Sequence, residues 1–478
     1  MNIQVTVFAV YFAVVFGIGW YSLRKTTDES DYWIAGGKLG WMVGGATLAA
    51  THTSAGTFIG TIGVIHTVGW SFGWLILTIP LAYWFMVAVL APRFTRVRKL
   101  TLPDFIEARY DSKVARAIAA AIILVAATVY IQAQIVAGGI IGNIVFGIPN
   151  THGMVIFTLI LLAYTVVGGM IAVAYTDFLQ LVIMFLGALI SVPLALRHLG
   201  GFTDLLGYVQ AIKPITFTWE GLPLTLLFTM SLAFMLGSIA TPEKLIRLYA
   251  MKDMRTIRRG VLFTIVMATL MNFMVAILAL ASIAFFPNLP TGDLAMPLVA
   301  RAVLPAFIGS LMLAGITSAM MSTVDSLLIV AGSALSEDIY GILFDPEASH
   351  KRRLFIARLG ILIVGTVPLI LTLSGVAEGE LVQFIVLLFT ALMASSFFMP
   401  VVGGVLWRRA NKQGAIAAMV GGITVSSLWE LFGATHIDPV LPGFLCSAIL
   451  FVTVSWLAPA PPTSAVSLYF DEKGKGGG

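Results

Sequence analysis

Long apolar runs recur along nearly the whole chain, and they constrain its fold more than any other feature. A helix needs about 20 largely apolar residues to cross a bilayer. Backbone polar groups inside lipid must be satisfied within the segment, so each such run predicts a helix. Thirteen runs qualify. They cover residues 3–23, 39–66, 70–91, 114–146, 153–174, 177–196, 222–240, 260–286, 304–339, 354–373, 381–407, 414–432 and 441–457.

Composition supports a membrane protein and excludes several other classes. The chain is 59% hydrophobic and 11% charged, whereas soluble proteins carry about 25% charged residues. A water-exposed surface cannot be built from so few charges. The one cysteine, Cys446, excludes a disulfide framework, and the sequence contains no HExxH or P-loop pattern. No Lys or Arg precedes the first run, so we interpret it as a retained span and not a signal peptide.

The distribution of Lys and Arg predicts how the spans are oriented. Loops on the cytoplasmic side of a membrane carry an excess of these residues. With thirteen spans, an N-terminus outside and a C-terminus inside, 25 of the 28 lie in inside segments, including the stretch 244–259. Only Arg197, Lys213 and Arg301 lie outside. We therefore interpret the basic loops as orientation signals, and not as a nucleic-acid site.

No extramembrane stretch is long enough for a further folded domain. We expect one membrane transporter domain over residues 1–459 and a flexible cytoplasmic tail over residues 460–478. The absence of a nucleotide-binding unit argues against ATP-driven transport. The expected location is the plasma membrane, with the lipid bilayer as surroundings and with no obligatory protein partner.

Two of the apolar runs are interrupted by small and hydroxylated residues. Residues 49–60 read Ala-Ala-Thr-His-Thr-Ser-Ala-Gly-Thr-Phe-Ile-Gly, and Gly237, Ser238 and Pro242 interrupt the seventh run. Irregular backbone at membrane depth is tolerated only where protein or a cavity satisfies it. Breaks at matching places in two halves, here residues 39–197 and 222–407, indicate the central site of a transporter. The alternative is that small residues merely allow close helix packing.

The ninth run carries hydroxyl groups that are suited to a sodium ion. Ala319, Ser322 and Thr323 share one helical face. Sodium, like calcium, is a hard cation that prefers oxygen ligands. The two hydroxyls and the carbonyls freed at the break in the second run would supply about five oxygens. The alternative is that these hydroxyls bond to carbonyls of the preceding turn.

Two acidic residues lie at or within the predicted membrane region. Asp177 begins the sixth run and Asp325 lies inside the ninth. Carboxylates within a membrane are costly and are functional-site candidates by default. We therefore consider both for ion handling. A helix-capping role for Asp177 and pairing within the bundle for Asp325 are the alternatives.

Three stretches resemble the sodium:solute symporter family, which includes proline and pantothenate permeases and sodium/sugar cotransporters. The first is AYTVVGGM at 163–170, followed by Ala172-Val173 and by TDFLQ at 176–180. The second is MSTVDS at 321–326, running to SEDIY at 336–340, and the third is WRRANKQGA at 407–415. The likeness covers about residues 3–457.

This resemblance implies an all-α, LeuT-type fold and a sodium site. The fold would be an inverted five-helix repeat with one extra helix before it and two after it, which are the predicted runs 3–23, 414–432 and 441–457. Sodium would be the coupling ion, and the position of Asp177 is linked in the family to sodium exit or to a second ion. The implied sodium ligands are the carbonyls of Ala50, Thr53 and Ala319 and the hydroxyls of Ser322 and Thr323.

The chain departs from the branches of that family at several positions. His52 stands where the proline branch has an acidic residue, Phe234 and Ser238 stand where it has an aromatic pair, and the charged and amide residues that the sugar branch has near Thr57 are absent. The substrate-binding candidates are His52, Ser54, Thr57, Gln132, Gln134, Phe234 and Ser238.

The expected function is sodium-coupled symport of a small organic anion, such as pantothenate or a monocarboxylate. A proline-like amino acid is the second candidate. A proton-coupled symporter of the same fold, using His52, Asp177 or Asp325, stays open. A channel or sensor is less favoured because no signalling domain is present, and no nucleophile–base pair or metal cluster supports an enzyme.

Overall fold

The computed structural model describes residues 3–23, 29–376 and 378–470, without the side chains of six residues. Those six are Leu23, Glu29, Tyr164, Val167, Gly168 and His350. Residues 24–28 of the loop after the first span and the end of the tail lie outside the described residues, and three side chains of the stretch 163–170 are among the six. In the first half the helices are α1 (Ile3–Leu23), α2 (Glu29–Ile34), α3 (Trp41–His52), α4 (Ile62–Val68), α5 (Thr78–Phe85), α6 (Ala91–Phe94), α7 (Leu102–Tyr110), α8 (Lys113–Phe146), α9 (Asn150–His198) and α10 (Phe202–Ile212).

Twelve more helices follow in the second half, and short 3-10 and π-helical turns join several of the helices. They are α11 (Leu224–Ala240), α12 (Pro242–Ala250), α13 (Met254–Phe285), α14 (Ala295–Ala302), α15 (Ala306–Ser333), α16 (Gly341–Leu343), α17 (His350–Leu373), α18 (Val382–Phe398), α19 (Gly404–Leu406), α20 (Lys412–Phe432), α21 (Val440–Leu457) and α22 (Thr463–Phe470).

The helices make this a multi-pass membrane protein. Within the described ranges, 11 helices are long and apolar enough to cross a membrane, or 12 if the bent pair of α3 and α4 counts as one span. The sequence predicted thirteen. The difference lies in the part of α9 before the kink at Gly169, where Asn150–Ala163 is apolar and the side chain of Tyr164 is outside the described residues. The count of thirteen and the orientation of the termini therefore stay predictions.

Both predicted interruptions are breaks in the helices. The axis bends by 50° between α3 and α4, and Thr53 has φ −86° and ψ 102°, outside the helical region. Thr241 has φ −74° and ψ 133°, because a residue before proline avoids the helical region. The chain then continues as α12, which the sequence analysis assigned to an inside loop. That assignment is wrong for Lys244 and Arg247, which are both buried.

The centre of the bundle is α15. Every residue of its stretch 312–333 is buried, and the helix packs against α9, α8, α17, α1 and α3. In the second broken span, α11 packs against α18. The helices α20 and α21 pack against each other and against α18. This arrangement places both breaks beside buried helices, away from lipid.

A kink at Gly169 separates the two halves of α9. Its φ of 62° and ψ of −177° are accessible to glycine and strained for other residues. A Cβ there would also lie 2.7 Å from Cδ2 of Tyr32. We expect Gly169→Ala to lower the free energy of unfolding by about 1–3 kcal/mol, measured by thermal or denaturant unfolding of the purified protein in detergent.

Gly207 offers a matched control for that substitution. It lies inside α10 with no atom within 4 Å of the Cβ position. Gly207→Ala is therefore expected to be neutral or to stabilise by up to about 1 kcal/mol, because alanine favours helix. Equal stability of the two variants would contradict the importance of the kink.

The tail differs in part from the expected flexible segment. Residues Thr463–Phe470 form α22, which packs on α6 and α7, and Tyr469 is fully buried. The backbone carbonyl of Tyr469 accepts a hydrogen bond from Nη1 of Arg96 at 3.0 Å. Residues 471–478 lie outside the described residues.

Candidate functional site

The end of α3 meets α15 in a cluster of buried oxygen atoms. Oγ of Ser322 lies 3.2 Å from the carbonyl oxygens of both Ala50 and Ala319. Oγ1 of Thr323 donates to the same Ala319 carbonyl at 3.0 Å. The bonds to Ala319 are the bonds to the preceding turn that the sequence offers as the alternative, and the bond from Ser322 to Ala50 joins α15 to α3. These residues are fully buried, and Thr53, which is also buried and has a non-helical backbone, follows directly after α3. The hydroxyls donate to carbonyls here, and their oxygens remain available as acceptors for a small cation.

Side chains around the break satisfy the backbone groups that the broken helix frees. Oγ of Ser54 accepts from the N–H of Gly56 at 3.0 Å, and Oγ1 of Thr57 accepts from the N–H of Ser54 at 3.3 Å. Oε1 of Gln134, on α8, accepts from the N–H of Ala55 at 3.0 Å. These bonds explain why the interruption needs hydroxyl and amide residues at membrane depth.

Below the oxygen cluster, Asp177 is paired with an arginine. Oδ2 of Asp177, on α9, accepts from Nη2 of Arg247, on α12, at 3.1 Å, and both side chains are fully buried. Thr47, on α3, also donates to Asp177 and accepts from Nε of Arg247 at 3.0 Å. Arg247 further donates to Oγ of Ser326 at 2.5 Å, one turn from Ser322. The network ties both broken spans to α9 and α15.

Asp325 lies on another face of α15. Its Oδ1 accepts a hydrogen bond from Oγ1 of Thr165, on α9, at 2.6 Å. The side chain is fully buried. Of the two acidic candidates, Asp177 therefore contacts a residue of the network next to the oxygen cluster, while Asp325 bonds toward α9.

A cavity of about 40 Å³ lies beside the first break. It contains four of the seven predicted substrate residues, namely His52, Ser54, Thr57 and Phe234. Its other polar lining residues include Thr61, Tyr130, Lys244, Asn272, Gln383 and Thr390. Its apolar lining residues include Phe72, Leu75, Ile76, Ile79, Val386 and Phe389.

The other three predicted residues do not line this cavity. Gln134 supports the break, and Ser238 accepts a hydrogen bond from Nζ of Lys244 at 3.4 Å. Gln132 faces away, and its Nε2 donates to the carbonyl of Val376 at 2.8 Å. Residues two apart on a helix point in different directions, so Gln132 and Gln134 cannot serve the same surface.

Sequence reasoning missed several residues of the site. Lys244 and Arg247 were counted as loop charges, although they follow the predicted break by two and five residues. The sequence from 245 to 251, Leu-Ile-Arg-Leu-Tyr-Ala-Met, is apolar apart from one arginine. That composition was the available signal that the span continues past Pro242.

One end of the site is covered by the start of α18. Oγ1 of Thr61 donates to Oε1 of Gln383 at 3.4 Å. Beside it, Oδ2 of Asp293 accepts from the N–H of Val382 at 3.0 Å, and Gly63 packs against Asp293. Asp293 lies outside the spanning helices, and burial raises the pKa of its carboxyl to about 6 against the opposing effect of the Val382 bond.

Comparisons with known proteins agree with this architecture. The model of the sodium:solute symporter family matches residues 32–422. The osmoregulated proline transporter OpuE of Bacillus subtilis is 28% identical, over 98% of both chains. The sodium/pantothenate symporter of Escherichia coli is 28% identical, over 95% of this chain and 97% of the relative.

Solved structures show the same fold. A substrate-bound, outward-open, Na⁺-coupled sialic acid symporter superposes with a TM-score of 0.83 at 20% identity. The superposition covers 97% of this chain and 99% of the other. Similarity at this level of identity concerns the arrangement of helices, which is that of LeuT-type transporters.

Proposed function

We propose, from the premise that the chain belongs to the sodium:solute symporter family, that it carries a small organic solute into the cell together with sodium. The observation that supports this most directly is the contact of Ser322 with the carbonyl of Ala50, close to the helix break. A neutral set of oxygens binds a monovalent cation and can release it again.

The sodium ligands in this proposal are those implied by the family resemblance. They are the carbonyls of Ala50, Thr53 and Ala319 and the hydroxyls of Ser322 and Thr323. Asp177 and Asp325 are the candidates for ion exit or for a second ion. Asp177 is the stronger candidate, because its partner Arg247 donates to Ser326, one turn from Ser322.

Alternating access follows from where the ligands lie. Two of the five belong to the broken span and three to α15, so sodium joins the two and favours one relative position of these helices. The solute binds in the cavity at the same break, and both leave when the helices open inward. Thirteen spans, with the N-terminus outside, provide the topology for this movement.

Substrate identity is the less determined part of the proposal. The first candidate is a small organic anion such as pantothenate or a monocarboxylate, and an amino acid such as proline is the alternative. Relatives named as proline and as pantothenate transporters match the chain equally well, at 28% identity.

The test is uptake into proteoliposomes driven by a sodium jump or by a pH jump. A sodium ion moving down about 100 mV releases roughly 2.3 kcal/mol, and a tenfold gradient adds about 1.4 kcal/mol. We expect a sodium gradient at constant pH to drive accumulation of the solute. If uptake is equal without sodium, or is driven only by the pH jump, the proposed sodium coupling is wrong.

A further inference from the structure

The ammonium group of Lys244 borders the central cavity. The residue is 6% exposed, and its Nζ has a long hydrogen bond, 3.4 Å, to Ser238. Over the part of the chain that the structure describes, no carboxylate oxygen lies within 4.0 Å of this Nζ. A buried ammonium without a direct ion pair is costly, so Lys244 is a candidate for binding an anion.

The neighbouring cation, Arg247, is engaged elsewhere. Arg247, one turn along α12, donates to Asp177, Thr47 and Ser326. Glu243 precedes Lys244, is also buried, and attracts the ammonium through space. Consecutive side chains diverge around a helix, and Glu243 does not line the cavity. Lys244 is therefore the cation that the site offers to a ligand.

The charged side chains in the cavity wall are positive only. Lys244 contributes a positive charge, and no Asp or Glu occurs in that wall among the described residues. A carboxylate would find a counter-ion there, whereas the ammonium of a zwitterionic amino acid would find none. The Lys244 ammonium would also repel that group, so the wall favours a carboxylate over a zwitterionic amino acid.

We propose that Lys244 binds the carboxylate of the substrate and that the transported solute is a short monocarboxylate; this rests on the sodium symport proposed above. Phe234, Ile79 and Phe389 supply an apolar wall for the rest of the molecule. The cavity volume of about 40 Å³ holds only about three water molecules. A short acid requires less expansion of this volume than pantothenate does.

The position of Lys244 also explains how solute and sodium binding are coupled. The cavity includes His52 and Ser54, while the proposed sodium ligands include Ala50 and Thr53. Both sites thus share the end of α3. A sodium ion and the Lys244 ammonium repel each other, and an anion bound between them reduces that repulsion. Each ligand therefore favours binding of the other.

The experiment measures thermal stabilisation of the purified full-length protein by sodium and by added solutes. The probes are acetate, butyrate and benzoate, the uncharged analogue butyramide, and the zwitterion proline, each with and without sodium. In wild type we expect sodium-dependent stabilisation by a monocarboxylate and none by butyramide or proline. Lys244→Met and Lys244→Gln should keep the response to sodium alone and lose at least about tenfold in carboxylate affinity. Lys244→Arg should retain part of it.

Lys252→Met is the matched control, because Lys252 is an exposed lysine close by in the chain, and it should behave as wild type. Comparing butyrate with butyramide in the wild type needs no variant. It therefore tests whether the site requires a carboxylate even if the Lys244 variants fail to fold. Four results would overturn the inference while sodium coupling stands. They are stabilisation by proline, an equal response to butyramide, no response to any carboxylate, and unchanged carboxylate affinity in Lys244→Met. If wild type shows neither stabilisation by sodium nor sodium-driven uptake, the proposed function itself fails.

Discussion

Ser322→Ala and Thr323→Ala are each expected to raise the sodium concentration for half-maximal transport by about 10- to 100-fold. Each variant removes one of about five proposed oxygen ligands, and a bond to a charged group contributes about 1.5–3 kcal/mol, where 1.4 kcal/mol is a factor of ten. The cost to folding should be smaller, about 1 kcal/mol, since each hydroxyl makes ordinary bonds to carbonyls. Solute uptake into proteoliposomes, measured over a range of sodium concentrations, gives the shift.

Ser310→Ala is the control for this series. Ser310 lies on the same helix, is buried, and donates to the carbonyl of Ala306 at 2.6 Å, but it lies three turns from the cluster. It should change neither the sodium requirement nor the substrate affinity. Thr323→Ser keeps the hydroxyl and should stay close to wild type. A sodium requirement that is unchanged in both alanine variants would show that the cluster is not the ion site.

Arg247→Met is expected to destabilise the protein by about 3–5 kcal/mol. The substitution leaves Asp177 fully buried without its counter-ion, and breaking a buried pair by removing one partner costs about this much. It also removes the donors to Thr47 and Ser326. Unfolding in detergent, or the yield of folded protein, measures the effect.

The double variant Asp177→Asn/Arg247→Met tests that explanation. Removing both charges should recover most of the lost stability, because no uncompensated charge remains. Lys38→Met breaks the pair of Lys38 with Asp31, in which Lys38 is 74% exposed, and should cost no more than about 1 kcal/mol. If the double variant is as unstable as the single one, packing of the long Arg247 side chain, and not charge, explains its role.

Residues at the two breaks show why part of the site could be predicted from sequence. An interrupted apolar run is visible as Thr-His-Thr-Ser-Ala-Gly at 51–56 and as Pro242, because lipid excludes irregular backbone that nothing satisfies. The structure has breaks at both places. The hydroxyls of Ser322 and Thr323 are visible too, because helical spacing puts them on the face they share with Ala319.

Partner helices cannot be predicted in the same way. Gln132 and Gln134 look equivalent in sequence, yet Gln132 bonds to Val376 while Gln134 bonds to Ala55 at the break. Which face of α8 meets which helix depends on packing against segments distant in sequence. α9 is a second case: it contains both predicted runs, 153–174 and 177–196, and its kink at Gly169 lies inside the first of them.

The sequence by itself determined that the chain lies in a membrane, where the helices break, and which residues can offer neutral oxygens to a cation. Those properties follow from local composition, because lipid imposes the same requirement on every segment. Tertiary structure alone decided that Lys244 and Arg247 are interior charges, that Arg247 pairs with Asp177, and that Lys244 borders a cavity. From the sequence, a basic residue just after a proline is assigned to a cytoplasmic loop. The positions of charges along the chain indicate the side of the membrane but not the contacts within the bundle, so only the buried helix α12 corrects that assignment.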